Sequence, residues 1–121
     1  MSLSPDTVHV AVAALNQTVG DWRGNLRRAQ EAVRGARELG ATLVVLPEMC
    51  LSGYSIEDRL LMRGTVSRSW ASLETLMQDT AGMVVLAGLL IRHRGVLFNA
   101  CAVIADGQLW GLVPKEHLAN G

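Results

Sequence analysis

The chain has 121 residues, half of them hydrophobic, with eleven basic and eleven acidic side chains and a net charge of zero. That length and composition suit one small domain with a genuine apolar core. The balanced charge gives no electrostatic case for nucleic acid or an anionic membrane, and the longest apolar runs are far too short to cross a bilayer. Met1 to Thr7 has neither a basic start nor an apolar stretch of signal-peptide length, so a cytoplasmic protein is expected. Cys50 and Cys101 make no disulfide framework, and no Cys-x-x-Cys or His-x-x-x-His spacing suggests a metal site.

In chain order, residues 8–15 alternate β-branched and small side chains and read as a first, central strand. A turn-rich loop over 16–21 leads into a helix from Asn25 to Leu39, whose Leu26, Ala29, Val33, Ala36 and Leu39 form one apolar stripe. Asn25 or Asp21 can cap its start, and Gly40 fits just past its end. Gly35 weakens the pattern, and Arg23, Arg27, Arg28, Arg34 and Arg37 are expected on the solvated face. Thr42 to Leu46 reads as a second strand, with Leu43 to Leu46 buried on both faces. Strand, helix and strand make a right-handed parallel unit.

Pro47 then ends the ladder, and Glu48 follows it. A carboxylate at the carboxyl end of a buried strand sits where α/β proteins place ligands and chemistry. Partial desolvation there would tune Glu48 for general-base work; otherwise it is a solvated loop glutamate. A short helix is expected over Ile56 to Met62, an interruption at Gly64-Thr65, and a second long helix over Val66 to Gln78 with Val66, Trp70, Leu73, Leu76 and Met77 inward. Met83 to Ile91 is a third apolar run, in which Gly88 signals a close backbone approach or a bulge. Val96 to Ala105 and Gln108 to Val113 are two further strands around an Asp106-Gly107 hairpin turn. The last three strands form an antiparallel meander on a parallel start, a mixed sheet. Pro114-Lys115 repeats the arrangement of Pro47-Glu48, so the two opposite charges can meet in one pocket, with the lysine either an oxyanion stabiliser or a surface residue.

The residues around Glu48 carry a resemblance. A strand ending in Pro47-Glu48, followed by Gly53-Tyr54 and preceded by Gly20-Asp21 and Asn25, resembles the nitrilase (carbon–nitrogen hydrolase) superfamily. So does Phe98 to Gly107 followed by Gly111-Leu112-Val113-Pro114-Lys115. The Glu57-Asp58 and Leu60-Leu61 that continue from Gly53-Tyr54, with Leu118-Ala119-Asn120 after the lysine, are similar to the glutaminase domain of glutamine-dependent NAD synthetases.

The resemblance spans about residues 8–121, roughly the first half of such a domain. It implies an α/β fold of the α-β-β-α sandwich type, here about the N-terminal half, a mixed sheet with helices on one face. It also implies a Glu–Lys–Cys triad in that chain order. The cysteine attacks an amide carbonyl to give a thioester, the glutamate moves the thiol proton to the leaving ammonia, the lysine stabilises the oxyanion, and water releases the acid. Glu48 matches the base and Lys115 the lysine, and Tyr54 is either a wall of the substrate pocket or a loop anchor. The nucleophile is expected downstream of Lys115, and six residues follow it here. The expected organisation is therefore a single N-terminal glutaminase segment over 1–121, with no second domain, no nucleophile and doubtful activity alone. Cys101 reads as an apolar filler of its strand and Cys50 as a loop residue off the family pattern; neither is expected to replace the nucleophile.

The implied substrate is glutamine. Its ammonia would serve ATP-dependent NAD synthesis from deamido-NAD in a separate synthetase domain, where ATP and Mg are used; no cofactor is expected in this chain. The implied partners are the rest of the hydrolase domain, the synthetase domain and, at full length, a homo-oligomer. Half a sandwich leaves one sheet face uncovered, so the chain alone is expected to be poorly folded, oligomeric or sticky. The alternatives are another amidase or carbamoyl hydrolase of the superfamily, or a non-catalytic scaffold domain.

Overall fold

The computed structural model describes residues 7–53 and 64–117, with side chains to Lys115. Tyr54, the expected Ile56–Met62 helix and Leu118 to Gly121 lie outside the described residues. The elements run β1 (Val10–Val12), α1 (Trp22–Glu38), β2 (Leu43–Val45), α2 (Thr65–Met77), β3 (Val84–His93), β4 (Val96–Ala105) and β5 (Gln108–His117). The five strands form one sheet in sequence order, β1–β2–β3 parallel and β3–β4–β5 antiparallel.

The mixed sheet is as expected, but β1 is an edge strand rather than a central one. Each new strand adds on the same side as the last, which leaves β1 outermost. Asp21, not Asn25, caps α1, accepting from the Gly24 amide at 3.1 Å. At the other end, Gly40 N–H donates to Arg37 O and Ala41 N–H to Ala36 O, a Schellman closure. Leu39 therefore falls outside the last turn and is 79% exposed rather than inward. Both β3–β4 and β4–β5 are closed by two-residue turns, Arg94-Gly95 and Asp106-Gly107, with positive φ at every position. That is the turn geometry that follows strand twist.

Both helices cover one face of the sheet. Ala29, Val33 and Ala36 of α1 and Leu73 and Leu76 of α2 pack with Val44, Val85, Ala87, Leu89, Ala102 and Ile104. Alternation sends Val10, Val12, Leu43, Val45, Val84, Leu86, Val103 and Val113 to the opposite face. Among these, Val12 is 77% and Val113 53% exposed. Thus Leu43 and Val45 of β2 are only half-buried, whereas Val44 is fully buried. The expectation of a strand buried on both faces holds for one face alone, because among the described residues no helix covers the other.

An apolar sheet face of this kind favours association. The chain is expected to self-associate with concentration in sedimentation velocity. Replacing Val12 and Val113 by lysine is expected to weaken that association by at least about tenfold, since each valine contributes roughly 1.5 kcal/mol when covered.

Candidate functional site

The parallel ladder runs one residue past β2, where Leu46 N–H donates to Leu86 O at 2.9 Å. Pro47 can donate nothing further, and the chain turns across β3. It crosses at Gly88. A Cβ built there would lie 2.3 Å from Met49 N and 2.9 Å from the Glu48 carbonyl carbon. Of the two readings for Gly88, close approach is the correct one: the glycine is the seat on which the Glu48–Met49 backbone rests. Met49 takes a left-handed conformation, φ 50°, at a cost of about 1–2 kcal/mol for a non-glycine residue. Its side chain is buried with Leu90, Leu97 and Val66, which offsets that strain.

Glu48 is exposed, so the expected desolvation is absent. The carboxylate stands at the strand end over the uncovered sheet face, where water reaches it. Among the described residues it is held by a side chain given no role by sequence reasoning: Asn99 of β4, itself buried, donates through Nδ2 to Glu48 Oε1. The available signal was a lone amide within the apolar run Val96 to Ala105.

Lys115 is placed differently from the expectation as well. Pro114-Lys115 does not follow a strand but lies within β5. Ala100 pairs with Pro114 and Asn99 with Glu116, which leaves Lys115 as the extra residue of a bulge. β5 is the outer strand of the sheet, so the missing amide hydrogen of Pro114 is tolerated. Glu48 and Lys115 nevertheless line one cleft of about 280 Å³, floored by Leu86, Gly88, Val103 and Val113. Among the described residues no ion pair joins them.

The two cysteines separate. Cys50 is fully buried, its Sγ 3.6 Å from Gly88 O, and burial pushes its thiol up to about 12, only partly opposed by that hydrogen bond. It is a protonated core residue. Cys101, expected to be buried filler, is half-buried and lines the cleft with Glu48 and Lys115. It stands on the sheet face that lacks a cover, pairing with Gly88 on one side and Val113 on the other. Burial raises its thiol and the Lys115 charge lowers it, with burial the larger effect. Among the described residues no three His, Cys, Asp or Glu side chains cluster as metal ligands, and no helix is long and apolar enough to cross a membrane.

Two outcomes are expected. Gly88→Ala pushes the Met49 backbone off β3 and lowers stability by about 1–3 kcal/mol, read from the urea midpoint. Cys50 makes stability fall with rising pH. Above the ordinary thiol value of 9.0 the unfolded chain loses a proton that the folded chain keeps until about 12. Stability is thus fully present below pH 9 and drops by up to about 1.4 kcal/mol per pH unit above it. Urea titrations at pH 8, 9.5 and 10.5 should show this slope in the parent chain and a smaller one in Cys50→Ala.

The comparisons with known proteins follow the same residues. The glutamine-dependent NAD(+) synthetase of Thermotoga maritima is 37% identical over 115 residues, which is 93% of this chain and 20% of that protein. The enzyme of the same name from Mycobacterium tuberculosis is 36% identical over 113 residues, covering 92% of this chain and 17% of its own length. The chain therefore spans about a fifth of the length of these relatives. The crystal structure of a glutamine-dependent NAD(+) synthetase from Cytophaga hutchinsonii superposes with a TM-score of 0.87 at 28% identity, over 95% of this chain and 20% of that one. An amidase from Nesterenkonia sp. AN1 shares the fold at a TM-score of 0.79 and 18% identity, over 95% of this chain and 46% of its own. The mixed sheet is thus the nitrilase-like fold. Residues 9–120, from before β1 to beyond β5 and including Glu48 and Lys115, match the carbon-nitrogen hydrolase family, to which this chain belongs.

Proposed function

We propose that the chain supplies the base and the lysine of a glutamine-hydrolysing site, within a protein that delivers ammonia to ATP-dependent NAD synthesis from deamido-NAD. In this reading residues 1–121 are the N-terminal part of the glutaminase domain. The observation that carries it is that Glu48 and Lys115, far apart in sequence, line one open cleft. The glutamine-dependent NAD(+) synthetases that align along nearly the whole chain support the choice of glutamine as the amide.

The chemistry follows from the placement. A cysteine thiol attacks the side-chain carbonyl of glutamine, and Glu48 takes the thiol proton. Asn99 holds the Glu48 carboxylate through Oε1, and Oε2 takes the proton. The Lys115 ammonium faces the tetrahedral oxyanion. Collapse breaks the carbon–nitrogen bond, ammonia leaves with the proton from Glu48, and water converts the thioester to glutamate and regenerates the thiol. Cys50 is no candidate nucleophile, since its thiol is buried and stays protonated. Tyr54 follows this turn in sequence and is assigned to the pocket wall. ATP and Mg belong to the synthetase partner; the synthetase from Acinetobacter baumannii, whose structure contains ADP, aligns with this chain over 21% of its own length.

The test is ammonia release from glutamine by the 121-residue chain and by a version continued through the remainder of a hydrolase domain. Only the continued version is expected to release ammonia. Glu48→Gln should lower its kcat about a hundredfold or more, and Lys115→Ala about a hundred- to thousandfold. Turnover by the 121-residue chain that vanishes in Cys101→Ala would move the nucleophile to Cys101 and overturn the assignment.

A further inference from the structure

A second polar cluster lies on the opposite side of the Glu48 turn from the cleft, and the chemistry above makes no use of it. Asn25, in the first turn of α1, is fully buried. Its Nδ2 donates to Thr18 O at 2.8 Å and Leu51 O at 3.2 Å, and its Oδ1 accepts from Thr18 N at 2.9 Å and the Arg28 guanidinium at 2.9 Å. Gln17 Nε2 donates to Asn25 O at 2.9 Å and Cys50 O at 2.6 Å, while its Oε1 accepts from Arg28 Nε at 2.7 Å. Arg28 reaches Asp21 at 3.4 Å, so its charge is paired as well. The Gly20 amide donates to Ser52 O at 3.1 Å.

Three successive carbonyls, Cys50, Leu51 and Ser52, are therefore each gripped from the first loop and α1. Gly53 completes the grip: with φ +78°, a Cβ there would meet Val19 N at 2.6 Å and Thr18 O at 2.7 Å, so the two loops touch backbone to backbone. The gripped carbonyls begin two residues after Glu48. Between them lies Met49, whose left-handed φ sets the direction of the preceding peptide. If the carbonyls were free, Met49 could relax to negative φ and swing Glu48 off Gly88 and away from Asn99. A buried amide with all its hydrogen-bonding positions engaged is a stiff device, because any movement leaves a polar group unpaired.

We propose that Gln17, Asn25 and Arg28 are positioning residues for Glu48, holding its turn from behind so that the carboxylate stays on Asn99. The importance of that placement rests on the reading of Glu48 as the base; the placement itself does not. It is tested on the 121-residue chain by NMR. In the parent, the Asn99 side-chain amide resonances should titrate with the Glu48 carboxyl, and Glu48→Gln should abolish the response. In Asn25→Leu and in the shape-preserving Gln17→Met, the response should fall at least about threefold, while Gly20 and Gly53 amides exchange roughly tenfold faster and the β3–β4 ladder is unchanged. Variants that melt earlier yet keep the full Asn99 response would show a merely structural role and overturn the proposal. Should Asn25→Leu fail to fold, Gln17→Met decides alone. A version continued through the hydrolase domain that keeps the coupling but releases no ammonia would sink the glutaminase reading and leave the positioning role standing.

Discussion

The structure depends on one contact between backbones. The peptide that joins Glu48 to Met49 lies flat on β3 at Gly88, with no space for a single further carbon. This contact determines how far the chain can travel after the proline and which way it then turns. It brings Met49 down among Leu90 and Leu97 and leaves Glu48 pointing along the sheet toward Asn99. The left-handed Met49 is the cost of so tight a turn, and its buried side chain is the compensation. Two small elements of sequence, a proline and a distant glycine, thus define the position of a carboxylate.

The two faces of the sheet have different tasks. The helix-covered face carries the core, with Val33, Val44, Val85, Leu73 and Ile104 fully buried. The other carries the side chains that line the cleft: Glu48 at the end of a parallel strand, Lys115 lifted by a bulge from the antiparallel edge, and Cys101 between them. Parallel and antiparallel halves of one sheet thus each contribute a charge to the same cleft. Neither charge is buried, so neither incurs a desolvation penalty in this chain.

Much of this was legible in the sequence. The α1 stripe, the Asp106-Gly107 hairpin turn, the strand ending in Pro47-Glu48 and the close approach at Gly88 are local signals, and each has its counterpart in the fold. What was missed depends on neighbours. Strand order is not written in β1, whose alternation looks the same in a central or an edge position. Proline reads as a stop, yet on an outer strand Pro114 is accommodated and the strand continues to His117. Arg28 looked like one more solvated arginine; its side chain is 25% exposed because Gln17 and Asn25 need its hydrogens. Asn99 looked like a polar interruption, and only the fold brings Glu48 to it across 51 residues.

The connections of the sheet differ sharply in length, and this gives assembly a direction. β3, β4 and β5 are joined by two-residue turns and pair along ten-residue strands. β1 and β2 pair over three residues each, and only after a helix has closed the crossover. Local pairings form fast and distant ones slowly, because loop closure must be met before contacts reward it. The meander is thus the natural nucleus, and the parallel strands join it late. On a ribosome, however, the parallel strands emerge first. β2 has no partner on its β3 side until Val84 has been synthesised, and the Glu48 turn has no seat until Gly88. The candidate site is consequently among the last parts of this chain to take shape, although its glutamate lies in the first half of the sequence.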